Sequence, residues 1–189
     1  MGGQTRKLLY LSLLVATGTV LHVFEGFLPA LGALPGAKLG LANLVTLLTL
    51  ALYGPVETWW VVILRVLLGS LMGGTLLTTT FFLSLAGALG STLVMLSAVR
   101  LGRGALSLVG ISVLGAVAHN LSQLLMASLL IQHLGIFFYL PYLLLFALPT
   151  GYFIGITASC VLRVFPPGGR QGEWKKHPVR GVVPRAWNM

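Results

Sequence analysis

The chain has 189 residues, of which 57% are hydrophobic and 8% are charged, a balance far more apolar than that of soluble domains. Twelve Lys and Arg residues against three Glu and no Asp give a formal net charge of +9. Three scattered carboxylates exclude the aspartate-rich Mg²⁺ sites of diphosphate-binding enzymes, and the lone Cys160 excludes an internal disulfide. The composition therefore predicts an all-α integral membrane protein.

Six apolar stretches follow one another along the chain, separated by glycine and proline. They cover residues 8–28, 39–53, 57–72, 75–99, 105–132 and 138–164. The second stretch is rather short, and Pro149 is expected to kink the sixth. The runs are too long for strands and do not alternate with a period of two. We predict a bundle of six transmembrane helices over residues 1–165 and a disordered, basic cytoplasmic tail over residues 166–189.

The distribution of basic residues predicts that both termini are cytoplasmic, because cytoplasmic loops retain Lys and Arg. With the N-terminus inside, Lys38 is the one basic residue on the outer side, and the inner side carries Arg6, Lys7, Arg100, Arg103, Arg163, Arg170, Lys175, Lys176, Arg180 and Arg185. The alternative for the basic tail is nucleic-acid binding, but attraction to anionic lipid already accounts for it. We expect a multi-pass protein of the bacterial plasma membrane.

In this topology the polar side chains that are costly to bury gather in the outer half of the bilayer. Arg65 lies halfway along the third helix, where a charge must be paired or face water. His119 and Gln123 share one helix face at i and i+4. We predict a pocket that opens to the outside and binds a small organic molecule through Glu25, Lys38, Asn43, Arg65, His119, Asn120 and Gln123.

Three structural alternatives stay open for these residues. Arg65 and Glu25 could form an ion pair that only neutralises two buried charges, and His119 could be a hydrogen-bonded core histidine. His22, Glu25 and His119 have the ligand chemistry for a metal ion, although their spacing does not favour one. A further pattern, Ser12 and Ala16 on the first helix, is a small-xxx-small motif that lets another helix approach closely.

Three segments resemble one known family. They are Pro35-Gly-Ala-Lys-Leu-Gly-Leu-Ala-Asn43, Leu64-Arg-Val-Leu-Leu-Gly-Ser70 and Gly115-Ala-Val-Ala-His-Asn-Leu-Ser-Gln123. In combination they look like the Gx transporter family, also called heptaprenyl diphosphate synthase component I, and the resemblance runs from the first helix through the sixth. That family is in turn similar to the substrate-binding S components of energy-coupling factor vitamin transporters.

This resemblance implies an S-component-like bundle with a ligand site near the outer face and the first loop as its lid. It also implies a transmembrane scaffold subunit driven by two cytoplasmic ATPases, with Ser12 and Ala16 on the contact face. We expect a transporter component that captures a vitamin, a flavin, or a precursor related to quinones or isoprenoids.

Catalysis and bound cofactors are not expected, since the chain has neither an aspartate-rich motif nor a glycine-rich phosphate loop. Two other function classes stay open. One is a non-catalytic membrane subunit associated with heptaprenyl diphosphate synthesis or with a membrane redox complex. The other is a metal transporter or a channel-like module.

Overall fold

The computed structural model describes residues 3–27, 40–102 and 105–164. All regular secondary structure in this part of the chain is helical, with no strand, as the sequence predicts. Its α-helices are α1 (Gly3–Phe27), α2 (Asn43–Leu52), α3 (Pro55–Met72), α4 (Thr79–Leu101), α5 (Leu108–Ile131) and α6 (Leu140–Val164). A 3-10 helix, Leu134–Tyr139, precedes α6. The predicted tail over residues 166–189 lies outside the described residues.

Local sequence features set several of the helix ends. Gly54 has a φ of 97°, which favours glycine, and it is followed by Pro55 in the first turn of α3, where proline costs no hydrogen bond. Ser107 caps α5 by accepting the backbone N–H of Gly110 at 3.1 Å. Pro149 lies inside α6, and the kink predicted there stays a prediction.

Five helical segments are long and apolar enough to cross a membrane: α1, α3, α4, α5 and the segment Leu134–Val164. The second predicted span, residues 39–53, is shorter in the structure than the sequence suggests. The helix begins only at Asn43 and ends at Leu52, so its ten residues extend about 15 Å at 1.5 Å per residue. That is about half of the roughly 30 Å hydrocarbon core of a bilayer.

The short α2 is the central element of the bundle. It contacts α1, α3, α4, α5 and α6, and these five helices follow one another around it in that order. Neighbours in this arc also contact one another, but α1 and α6 at its two ends do not. All residues of α2 except Leu44 and Leu52 are buried. The fold is therefore an open arc of five long helices around a half-length helix.

Pairs of contacts establish the helix directions. Lys7 pairs with Glu57, and Gly18 lies against Arg65, so α1 and α3 run parallel. Contacts of Gly87 with Gln123 and of Gly115 with Met95 show that α4 and α5 are antiparallel. Trp59 near the start of α3 packs on the cluster that contains Leu162 near the end of α6. The first and last described residues therefore lie at the same end of the bundle.

The apolar core is concentrated at that end. Its largest cluster joins α2, α4, α5 and α6 through Leu50, Met95, Ile111 and Leu162. Glycine lets α6 approach α5 very closely, because an added Cβ at Gly155 would lie 2.6 Å from the Cα of Val109. The outward faces of the helices carry large apolar side chains, among them Leu13, Phe24, Leu71, Leu93, Leu129 and Phe153. Such a surface fits a lipid environment.

Candidate functional site

The buried Arg65 forms the first part of the candidate site. Its Nη2 donates to Thr46 Oγ1 at 3.1 Å and to Asn43 Oδ1 at 3.4 Å. The same Asn43 oxygen accepts the hydroxyl of Ser91 at 3.2 Å. One amide at the start of α2 thereby links α3 to α4, and Thr46 one turn later adds a second link between α2 and α3.

Glu25 reaches the same region from the end of α1. Its Oε1 accepts the backbone N–H of Leu41 at 2.5 Å, just before the first turn of α2, where the helix dipole favours a negative charge. The hydrogen bonds of Arg65 go to Thr46 and Asn43 of α2. The ion pair between Arg65 and Glu25 stays a prediction.

His119 and Gln123 form the second part of the site on α5. Both lie against Gly87 of α4, where an added Cβ would be 2.8 Å from His119 Cε1 and 2.9 Å from Gln123 Cγ. His119 also lies beside Gly40, and Gly40 in turn touches the Nδ2 of Asn43. The two parts of the site therefore meet at the residues that lead into α2.

Asn120 points toward a different neighbour. Its Nδ2 donates to the backbone carbonyl of Leu143 in α6 at 3.0 Å. Adjacent residues on a helix face different directions, so Asn120 and His119 cannot both face α4. The structure thus places Asn120 between α5 and α6, at the margin of the site.

The cluster is closed in this structure. Each of its six described side chains is at most 5% exposed: Glu25, Asn43, Arg65, His119, Asn120 and Gln123. In this structure they are buried near the start of α2, and the outward-open pocket that the sequence predicts stays a prediction. Lys38, the seventh predicted site residue, lies outside the described residues.

Several buried polar atoms at the cluster and its margin could still form hydrogen bonds. Within residues 3–27, 40–102 and 105–164, the donors Arg65 Nε and Asn43 Nδ2 have no hydrogen-bond partner, and neither has the acceptor Asn120 Oδ1. Leaving a buried polar atom unsatisfied costs about 1–3 kcal/mol. Such atoms are therefore candidates for contact with a bound molecule or with water.

The structure also identifies residues that the sequence-based prediction missed. Thr46 and Ser91 hydrogen-bond directly to the core of the site, and Gly40 and Gly87 provide space for His119. Thr46 could have been found from its position, since it lies one turn after Asn43 on the same helix face. Ser91 carries no comparable feature in the sequence.

The structure also shows where the predicted partner-contact motif on α1 and the three possible metal ligands lie. Ser12 and Ala16 are both exposed on α1, so nothing in the described bundle covers the small-xxx-small motif. The structure does not bring His22, Glu25 and His119 together, since the described part of the chain holds no group of three potential His, Cys, Asp or Glu ligands. His22 instead packs against Gly69 of α3.

The fold and the site together define a helical membrane protein with a buried polar cluster between a half-length central helix and its surrounding arc. The sequence profile of the family described as heptaprenyl diphosphate synthase component I matches residues 14–161. The chain belongs to this family, which confirms the family resemblance seen in its sequence. Comparisons with curated proteins and with solved structures find no match. The family's description designates one component of a synthase, which implies further components.

Proposed function

We propose that the protein is the membrane-embedded, substrate-binding component of a transporter of the energy-coupling factor type, and that it captures a small organic solute. The observation that carries this proposal is the closed cluster around Arg65. Two helices bring buried donors there, namely Arg65 Nε of α3 and Asn43 Nδ2 of α2, and Asn120 Oδ1 at the margin of the site is a buried acceptor; none of the three has a partner among the described residues. A site with both donors and an acceptor suits a solute that offers complementary groups.

The cluster also has features expected of a site that opens and closes. Its residues come from α1, α2, α3 and α5, and α1 and α6 do not contact one another. A solute bound between these helices would hold them in one arrangement. Binding that differs in strength between an open and a closed arrangement shifts the equilibrium between them.

The basic residues support an orientation with both termini in the cytoplasm. Arg6 and Lys7 at the start of α1 lie at the same end of the bundle as Arg163 at the end of α6. Arg100 near the end of α4 belongs to this end as well, because α4 packs there against the start of α5. Under the positive-inside rule this end faces the cytoplasm, and the solute enters from the opposite side.

Native mass spectrometry of the gently solubilised protein tests the proposal. We expect a retained small molecule in the wild-type protein and its loss in Arg65→Gln, because a charge-assisted hydrogen bond contributes about 1.5–3 kcal/mol. The control is Arg100→Gln, which removes an exposed arginine and should leave the retained molecule unchanged. If the wild-type protein retains no molecule, or if Arg65→Gln retains it equally, the cluster is not a ligand site.

The exposed Ser12 and Ala16 support a contact with a scaffold subunit, which two cytoplasmic ATPases would drive. We expect the double variant Ser12→Leu, Ala16→Leu to lose co-purification with such a scaffold, because bulky side chains prevent close helix approach. Ser97→Leu, at an exposed position of α4, is the matched control. Equal recovery of the scaffold with both variants would place the partner face elsewhere.

The family description favours a second candidate function, a non-catalytic membrane subunit of heptaprenyl diphosphate synthesis. In that case the catalytic work belongs to another component, since this chain contains no aspartate. Affinity purification separates the two candidates. Recovery of a soluble prenyl synthase without ATPases would favour the subunit, and recovery of ATPases with a scaffold would favour the transporter.

A further inference from the structure

Gly87 of α4 lies against two of the candidate site residues at once. An added Cβ at this position would lie 2.8 Å from His119 Cε1, and 2.9 Å from both His119 Nδ1 and Gln123 Cγ. Carbon atoms in favourable van der Waals contact are about 3.5–4.0 Å apart, so a residue with a Cβ here would displace both side chains. The positions of His119 and Gln123 therefore depend on one glycine of the neighbouring helix.

The face of α4 that carries Gly87 points toward the polar cluster. Ser91 lies four residues later on the same face and donates its hydroxyl to Asn43 Oδ1 at 3.2 Å. Gly87 itself is buried. A glycine inside a helix is unfavourable relative to alanine, and here the space that it leaves is occupied by the side chains of His119 and Gln123.

The imidazole of His119 lies between Gly87 and a second glycine, Gly40. Gly87 approaches the ring at Cε1 and Nδ1, whereas an added Cβ at Gly40 would lie 3.3 Å from Cδ2 and 3.4 Å from Cγ. The same Cβ would lie 2.9 Å from Asn43 Nδ2. Gly40 also has a φ of 83°, which favours glycine. The ring thereby connects α4 with the residues that lead into α2, and through Asn43 with Arg65.

We propose that Gly87 is a positioning residue of the candidate site, and that it holds the imidazole of His119 against Gly40 at the start of α2. Because Gly87 has no side chain, it acts through His119 and not by contact with a solute. The expected effect on solute binding rests on the proposed function. The position of the imidazole does not depend on a solute, so it can be tested separately.

Native mass spectrometry of Gly87→Ala tests the effect on binding. We expect this variant to lose the retained small molecule, as Arg65→Gln does. The matched control is Gly90→Ala on the same helix, whose added Cβ would lie 2.7 Å from Ser122 Cβ of α5. It forces the same two helices apart without meeting His119, and should keep the molecule. Retention by Gly87→Ala equal to that of the wild-type protein, or equal loss in both variants, would overturn the proposal.

The position of the imidazole is measured by NMR without any solute. The readout is the Cε1–Hε1 signal of His119, which His119→Gln identifies by its disappearance. We expect Gly87→Ala to shift this signal clearly more than Gly90→Ala does, and the signal of the exposed His133 to serve as a reference in both. An unshifted His119 signal in Gly87→Ala would overturn the positioning role.

A double variant covers the case in which Gly87→Ala does not fold. We expect Gly87→Ala, His119→Ala to fold, because the imidazole that the new methyl group would meet is absent. If this double variant also fails to fold, His119 is not the side chain that Gly87 accommodates, and the proposal is wrong.

Failure of this inference can be told apart from failure of the proposed function. If the His119 signal shifts as expected but the wild-type protein retains no molecule, the positioning role stands and the transporter proposal is wrong. If the wild-type protein retains a molecule that depends on Arg65 but not on Gly87, the proposed function stands and this inference is wrong.

Discussion

The two halves of the bundle are held together by different forces. In the half formed by α4, α5 and α6, glycines bring helix backbones close together, as at Gly155 against Val109 and Gly151 against Val113. In the half formed by α1, α2 and α3, polar contacts link the helices, as between Arg65 and Asn43 and between Lys7 and Glu57. The first half is close-packed through glycine, whereas the second adds hydrogen bonds between helices and an ion pair to its apolar packing.

This difference separates a framework from a region that can respond to a ligand. Close packing through glycine leaves no alternative arrangement of similar energy, because packed interiors do not deform gradually. Hydrogen bonds between side chains such as Arg65 and Asn43 can instead be exchanged for bonds to a bound molecule at little net cost. The polar half is therefore where binding of the proposed solute would be coupled to movement.

The largest effect is expected from Gly155→Leu in the close-packed half. The new Cβ would lie 2.6 Å from the backbone of α5, so the two helices must separate, at a cost of about 3 kcal/mol or more. The measurement is the free energy of unfolding in mixed micelles titrated with SDS. Gly110→Ala is the control, since its added Cβ meets no atom closer than 3.6 Å. Equal stability of both variants would contradict the close-packed framework.

An intermediate effect is expected from Asn43→Leu in the polar half. It removes the acceptor for Arg65 and Ser91, which should reduce the free energy of unfolding by about 1.5–3 kcal/mol. Thr49→Val is the control on the same helix, because the Thr49 hydroxyl bonds only within α2, to the carbonyl of Val45, and should cost less than about 1 kcal/mol. The same SDS titration compares them, and a larger loss in Thr49→Val would argue against the network.

The smallest effect is expected from the ion pair between Lys7 and Glu57. Their side chains are 47% and 21% exposed, so solvent and salt screen the pair, and its coupling free energy should be about 0.2–1 kcal/mol. A double-mutant cycle with Lys7→Gln and Glu57→Gln measures this coupling. It should decrease as NaCl is raised. A coupling that is large and independent of salt would mean that this contact is part of the core.

The sequence predicted well those features of the fold that depend on the apolar composition of each segment. The long apolar runs indicated helices with bounds close to those of α1, α3, α4 and α5, and family membership was evident from three short motifs. Arg65 and Asn43 were predicted to share one site because polar groups are costly within apolar helices; they are hydrogen-bonded in the structure, and the site stays a prediction. These inferences depend on the free-energy cost of burying each side chain, which follows from the type of residue alone.

The remaining features depend on the rotation and register of the packed helices, which cannot be deduced from the sequence. The half-length α2 was expected to span residues 39–53, because apolar residues continue on both sides of its observed ends. The orientation of Asn120 toward Leu143 and the role of Ser91 follow from helix rotation and register. The burial of the cluster also depends on helix packing, which the position of each residue along its helix does not predict.

The short α2 has a consequence for how the chain enters the membrane during synthesis. Ten residues that include Asn43, Thr46 and Thr49 give the translocon a weak signal for insertion, and Arg65 weakens the signal of α3 by about 2.5–3.5 kcal/mol. In the proposed topology α1 and α3 both cross the bilayer in the same direction, so the chain returns across it between them. We expect α2 and α3 to leave the translocon together, with Arg65 already bonded to Asn43, so that each helix helps the other to insert.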